Sequence, residues 1–292
     1  MNKKHSPKER VFPTSKSDAE AAAHVPSSPQ TRSEAYKLAF QDHELMLRDE
    51  LRPVRLQLEL LKPELLMQEA NIASTFVMYG SARVPEPAKA QALLEAADND
   101  WDRQVAQRLV AKSHYYDEAR KLARIASTYP VDPDGERHFV VVSGGGPSFM
   151  EAANRGAHDE GKESIGLNIV LPHEQLPNEY ITPELSFQFH YFAIRKMHFL
   201  IRARAVAVFP GGFGTFDEFF ELLTLIQTGK VHPMPLLVFG KREFWDKVMD
   251  LDALALEGTI SKRDLDLITW VETAEEAWDH VCDAYEVCDH PA

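Results

Sequence analysis

Apolar residues in this chain fall into short runs separated by stretches of helical period. Thr75-Phe-Val-Met-Tyr79, His138-Phe-Val-Val-Val142 and Ala205-Val-Ala-Val-Phe209 are such runs, each bounded by turn residues. That is the pattern of buried parallel strands. Glu163 to Asn168, Pro235 to Phe239 and Ile268 to Val271 read as further strands, and Leu185 to Phe189 as a short extended piece. Between them lie predicted helices from Pro87 to Ser127, from Tyr191 to Ala203, through Phe219 to Ile226 with Gly229 as a stop, through Trp245 and Met249, and from Thr273 to Val287. Strands alternating with helices predict an α/β fold, a doubly wound, Rossmann-like parallel sheet.

The predicted domain spans residues 72–292. Its first helical region is too long for a single crossover, so a helical insertion is expected at about 88–114. Residues 33–71 carry apolar stripes, cut by Pro53 and Pro63, and are expected to form a helical arm packed on the core. Residues 1–32 are rich in Lys, Ser, Pro and Ala and too poor in large apolar side chains to offset their ordering entropy. A disordered tail is expected there.

Two glycine strings follow predicted strands. Phe209-Pro-Gly-Gly-Phe-Gly-Thr-Phe-Asp-Glu218 joins a strand to a helix, as does Ser143-Gly-Gly-Gly-Pro-Ser-Phe-Met-Glu151. Gly211, Gly212 and Gly214 remove side chains from a tight turn at a helix N-terminus. Free backbone N–H groups and the positive end of the dipole make such a turn an anion site. Thr215-x-x-Glu218 and Ser148-x-x-Glu151 also read as capping boxes, but capping does not account for three glycines and a proline within five residues. In a parallel sheet both turns fall on one edge. Gly144 to Phe149 lacks the third glycine of a dinucleotide fingerprint, and the following strand ends in Leu167 and Asn168 with no acid for a ribose. Gly214-Thr215-Phe216 lacks the P-loop lysine. A single phosphate, as in a nucleoside monophosphate or a sugar phosphate, fits better than NAD or ATP.

Composition narrows the partners. The 292 residues carry a formal charge of -13, against nucleic-acid binding. No apolar run approaches membrane-spanning length, and the N-terminus lacks the apolar core of a signal peptide. Two cysteines, Cys282 and Cys288, read as free thiols in a reducing, cytoplasmic setting. The histidines show no metal-binding spacing and the cysteines are not C-x-x-C, so neither metal nor cofactor is expected. No G-x-S-x-G elbow appears. The chemistry near a bound phosphate then falls to Glu218, to Asp217 beside it, and to Arg195 as the cation.

The paired strings, with the Arg195-Lys196 pair and Gly80-Ser-Ala-Arg83, resemble the Lonely Guy family, whose pattern PGGxGTxxE is matched by Pro210, Gly211, Gly212, Gly214, Thr215 and Glu218. The stretches Leu167 to Asn178 and Leu223 to Lys230 resemble its longer bacterial members. Ser148 departs from the family, where glycine is usual. The resemblance implies hydrolysis of the N-glycosidic bond of a nucleoside 5′-monophosphate, of AMP or cytokinin riboside type, to free base and ribose 5-phosphate. By the same resemblance, Glu218 is the carboxylate at the reacting carbon, Arg195 of the Arg-Lys196 pair holds the substrate and offsets charge, and Asp217 binds ribose hydroxyls. Gly211, Gly212, Gly214 and Thr215 hold the phosphate, Gly145, Gly146 and Ser81 line the same pocket, and Met150 and Glu151 flank the base. A homodimer or higher homo-oligomer is implied. The alternative is a non-catalytic carrier of a phosphorylated cofactor such as the molybdenum cofactor. Decarboxylation would need a lysine for a PLP Schiff base, and nothing marks one.

Overall fold

A computed structural model describes residues 12–172 and 176–287. The chain divides into two compact units, Met1–Leu58 and Glu59–Ala292. The first holds α1 (Ser15–Ala22), α2 (His43–Leu47) and the start of α3 (Arg52–Glu69). Thr14 caps α1 by accepting from the Ser17 N–H, and Asp42 caps α2 by accepting from that of Leu45. The division falls inside α3, and α1 lies within the stretch expected to be disordered.

The second unit is built on β1 (Thr75–Tyr79), α4 (Pro87–Glu95), α5 (Asp100–Ser127), β2 (Val140–Ser143), α6 (Phe149–Asp159), β3 (Ile165–Ile169), β4 (Ser186–Phe189), α7 (Phe192–Ile201), β5 (Ala203–Val208), α8 (Phe213–Gln227), β6 (Leu236–Phe239), α9 (Arg242–Val248), α10 (Leu251–Leu256), β7 (Thr269–Val271) and α11 (Ala274–Tyr285). The seven strands form one sheet of order β4-β3-β2-β1-β5-β6-β7, and every pairing is parallel. This is the doubly wound α/β fold. Strands β1, β2 and β6 are buried at every position because both faces are covered: Phe76, Met78 and Val141 enter one core with residues of α5, α6 and α11, while Val77, Val142 and Val206 enter the other with Phe199, Phe219 and Leu222.

The chain winds outward from β1 through β2 and β3 to β4, then returns to lay β5 on the other side of β1. The carboxyl ends of β1 and β5 therefore diverge into loops on opposite sides of the sheet. Such a reversal opens a crevice, and ligands bind there in open α/β sheets. The turns after β1 and β5 are Gly80 to Arg83 and the first glycine string.

No helix of the described residues is long and apolar enough to cross a membrane. Cys282, buried on α11, is disulfide-bonded rather than the free thiol expected. Cys288 lies outside the described residues.

Candidate active site

A cavity of about 740 Å³ opens at the ends of β1 and β5. Its lining brings together Ser81 from the first turn, Met150 from α6, Arg195 from α7, and Gly212, Gly214, Thr215 and Glu218 from the glycine turn and α8. The size is ordinary for a small-ligand site.

The α8 N-terminus does not form the capping box that Thr215 and Glu218 also allowed. The N-cap is Gly212, with no side-chain cap. Thr215 is thus the third helical residue, and the first intrahelical bond runs from the Phe216 N–H to the Gly212 carbonyl. The N–H groups of Phe213, Gly214 and Thr215 have no partner within the helix, the usual state of a helix start, and they sit on the cavity wall. Gly211 is needed for this geometry, since a Cβ there would lie 2.2 Å from Thr215 Oγ1. Ser148 is no capping box either. It is held at φ 66° and its hydroxyl donates to the Val84 carbonyl, tying the second string to the turn after β1. Glu151 instead accepts from the Tyr116 hydroxyl at 2.9 Å.

Glu218 and Arg195 meet inside the cavity. Arg195 Nη1 lies 3.6 Å from Glu218 Oε1, and their side chains are only 11% and 15% exposed. Arg195 is anchored by Nε, which donates to the Leu167 carbonyl at 2.7 Å, and its guanidinium lies over the Phe199 ring. The remaining contact is too long for a hydrogen bond. No hydrogen bond from a described residue reaches the Glu218 carboxylate. Burial raises the Glu218 pKa to about 7 against the pull of Arg195, and burial lowers that of Arg195 against the pull of Glu218. The result is a carboxyl poised near neutral pH beside a fixed cation, an arrangement suited to acid–base work.

The other candidates are placed elsewhere. Asp217 accepts from Lys196 Nζ at 3.0 Å, and Lys196 also pairs with Glu221 at 3.2 Å. That ion-pair cluster is outside the cavity lining. Gly145 and Gly146 are held by Asn178, whose Nδ2 donates to both carbonyls at 3.2 and 3.1 Å. Six lining residues were not assigned to the site from the sequence: Gly80, Ala82, Arg83, Phe213, Phe216 and Val248. Exposed Arg83 ends the Gly80 turn, and Phe213 is 96% exposed at the start of α8. The Gly80 to Arg83 motif was the available signal for Arg83.

Gly144 also matters, though it does not line the cavity. A Cβ there would fall 2.6 Å from Arg195 Nη2 and 2.8 Å from Met150 Sδ. Both are ends of flexible side chains, so Gly144→Ala is expected to fold but to displace the guanidinium. A shift of that size in a reacting group can cost about 10²-fold. Turnover assays beside a melting curve test this: wild-type turnover, or a collapse of stability, would contradict it.

The family described as "Possible lysine decarboxylase" matches residues 150–281. The cytokinin riboside 5′-monophosphate phosphoribohydrolase LOG3 of Arabidopsis thaliana is 27% identical over 169 residues, covering 56% of this chain and 73% of the relative. The enzyme LOG of Oryza sativa subsp. japonica is 28% identical, covering 56% and 65%. Over about half its length the chain is similar, at modest identity, to members of the Lonely Guy family. Among solved structures, the molybdenum cofactor binding protein of Rippkaea orientalis is 13% identical, with a TM-score of 0.44, covering 73% of this chain and 97% of that one. The Moco carrier protein of Chlamydomonas reinhardtii is 15% identical, with a TM-score of 0.41, covering 72% and 96%. Within the Lonely Guy pattern of this chain, Thr215 and Glu218 line the cavity and Gly211 packs against Thr215.

Proposed function

We propose that this protein hydrolyses the N-glycosidic bond of a nucleoside 5′-monophosphate, releasing the base and ribose 5-phosphate. One observation carries the reading: a buried carboxyl and a buried guanidinium share a cavity with an uncapped helix N-terminus. Its relatives' names supply the reaction class, AMP and cytokinin riboside monophosphates being the substrates to try first.

In this reading the phosphate sits on the N–H groups of Phe213, Gly214 and Thr215, with Gly211 and Gly212 shaping the turn. The dianion is favoured there by the dipole. Water attacks C1′ of the ribose as the C1′–N bond breaks, and the base leaves with the bonding electron pair and takes up a proton from solvent, balancing the one the water loses. Glu218 takes a proton from the water and offsets the positive charge developing at C1′. Arg195 stabilises the charge gathering on the base or the phosphate. Met150 and the exposed Phe213 ring flank the base. Ser81 and Arg83 close the phosphate side. Asp217 and Lys196, paired on the rim, act through the placement of α7 and α8, as does the Gly145–Gly146 string through the α6 turn and Glu151 through α6. The reading includes assembly as a homodimer, for which light scattering would report twice the chain mass.

Incubation with a panel of nucleoside monophosphates tests the assignment. Ribose 5-phosphate and free base should appear in equal amounts from at least one of them. A nucleoside plus inorganic phosphate, or substrate bound and recovered unchanged, would refute it.

A further inference from the structure

A second cavity, of about 590 Å³, has a different character. Arg108, Lys112 and His114 of α5 line it, with Lys241, Phe244 and Lys247 at or within α9. In a chain with 45 acidic and 32 basic residues, four cations converge on one hollow. Among the described residues, none of the four forms an ion pair. Among the described acids nearby, Asp246 and Asp252 both pair with Arg242, at 3.5 and 2.7 Å. Glu272 accepts from the hydroxyl of Tyr115, another lining residue, at 2.8 Å.

Lys112 is the most constrained of the four. Its ammonium lies 5.4 Å from the centre of the Phe244 ring and donates to the Arg108 carbonyl at 2.6 Å. Burial, and then the charge of Arg108, lower its pKa. A partly desolvated ammonium facing like charges is stabilised by an anion.

We propose that this cavity is a binding site for a small polyanion, a ligand with two or more linked phosphoryl groups, separate from the Glu218–Arg195 site. The charge count selects the class. A monophosphate dianion would leave two of the four cations uncompensated, whereas a pyrophosphate group matches them. The face of Phe244 is already taken by Lys112, so the linked phosphates rather than an aromatic ring are the recognised part. Pro210, which opens the glycine turn, and Val248, which lines both cavities, place the site beside the candidate active site.

Calorimetric titration of the whole protein with inorganic pyrophosphate tests the proposal, in the presence of saturating ribose 5-phosphate and without divalent metal. Saturable 1:1 binding is expected. It should weaken at least tenfold in the Lys112→Gln/Lys247→Gln double variant, which circular dichroism should show folded, and inorganic phosphate should bind far more weakly. ATP serves as a second probe, and binding equal to that of pyrophosphate would fix recognition on the phosphates alone. No saturable binding, competition by ribose 5-phosphate, or an unchanged affinity in the double variant would each overturn it. The variant comparison does not depend on any catalytic activity, so its failure is distinct from failure of the hydrolase reading.

Discussion

Glu218→Gln is expected to lower base release by about 10²–10⁴-fold while leaving ribose 5-phosphate binding within a few-fold of wild type. The phosphate contacts proposed are backbone N–H groups of α8, which the substitution does not touch. The same variant should gain stability in a pH-dependent way. In the folded protein the Glu218 carboxyl titrates at about 7, raised by burial. In the unfolded chain it titrates near the ordinary value of ~4.3. Between those two values the folded state holds a proton that the unfolded state has lost, so stability falls as pH rises through this window and levels off above it. Glutamine is a near copy of the protonated acid and does not titrate. The stability difference between variant and wild type should thus be smallest near pH 4 and move in the variant's favour by about 3 kcal/mol by pH 8. Chemical denaturation at the two pH values reads this directly. A pH-independent difference would mean that the carboxyl is not buried as described.

Arg195→Met should be the most damaging single change in the cavity. It removes the cation 3.6 Å from Glu218, the bond to the Leu167 carbonyl and the packing on Phe199 together. Breaking a buried pair from one side costs about 3–5 kcal/mol when the remaining charge stays ionised. With the cation gone, the Glu218 carboxyl is pushed further up and holds its proton at neutral pH, which limits that loss below pH 7. Turnover should fall at least as far as in Glu218→Gln, with weaker substrate binding as well. In a Glu218→Gln background the stability penalty of Arg195→Met should shrink by about 1–3 kcal/mol, the coupling of residues in contact. Additive penalties at pH 8 would show that the two side chains do not interact. Arg195→Lys keeps the charge but not the fork that reaches Leu167 and Glu218 at once, and is expected to recover little.

The fold was legible because its central strands β1, β2 and β6 are buried on both faces, so each appears as an apolar run between turn residues. The two glycine strings were legible because a strand-to-helix turn that must leave its N–H groups open cannot carry ordinary side chains. The sequence could not say which of two neighbouring polar residues faces the ligand. Successive residues on a helix differ by about 100°. Glu218 and Asp217 are adjacent on α8, and only Glu218 lines the cavity, Asp217 being 56% exposed at its side chain beside Lys196. On α7, Arg195 turns inward and Lys196 outward, and on α6 Met150 lines the cavity while Glu151 bonds Tyr116. The Arg195–Glu218 contact itself depends on β5 returning to lie beside β1, a long-range fact that no local spacing contains. The capping-box alternative stayed open in the sequence for a related reason: the same Ser/Thr-x-x-Glu spacing serves a helix start and a functional turn alike, and only the position of the N-cap tells them apart.

The pH dependence of base release bears most directly on the central claim, that a buried carboxylate at residue 218 takes the water's proton. It is best measured as kcat/KM, which reports the free protein and free substrate. The substrate phosphate has its own ionisation near ~6, which also appears in ribose 5-phosphate binding and can be divided out. The corrected rate should rise with pH through an inflection at about 7, following ionisation of Glu218, and level off above it. A corrected profile that is flat from pH 5.5 to 8.5, or that falls through neutrality, would contradict the account.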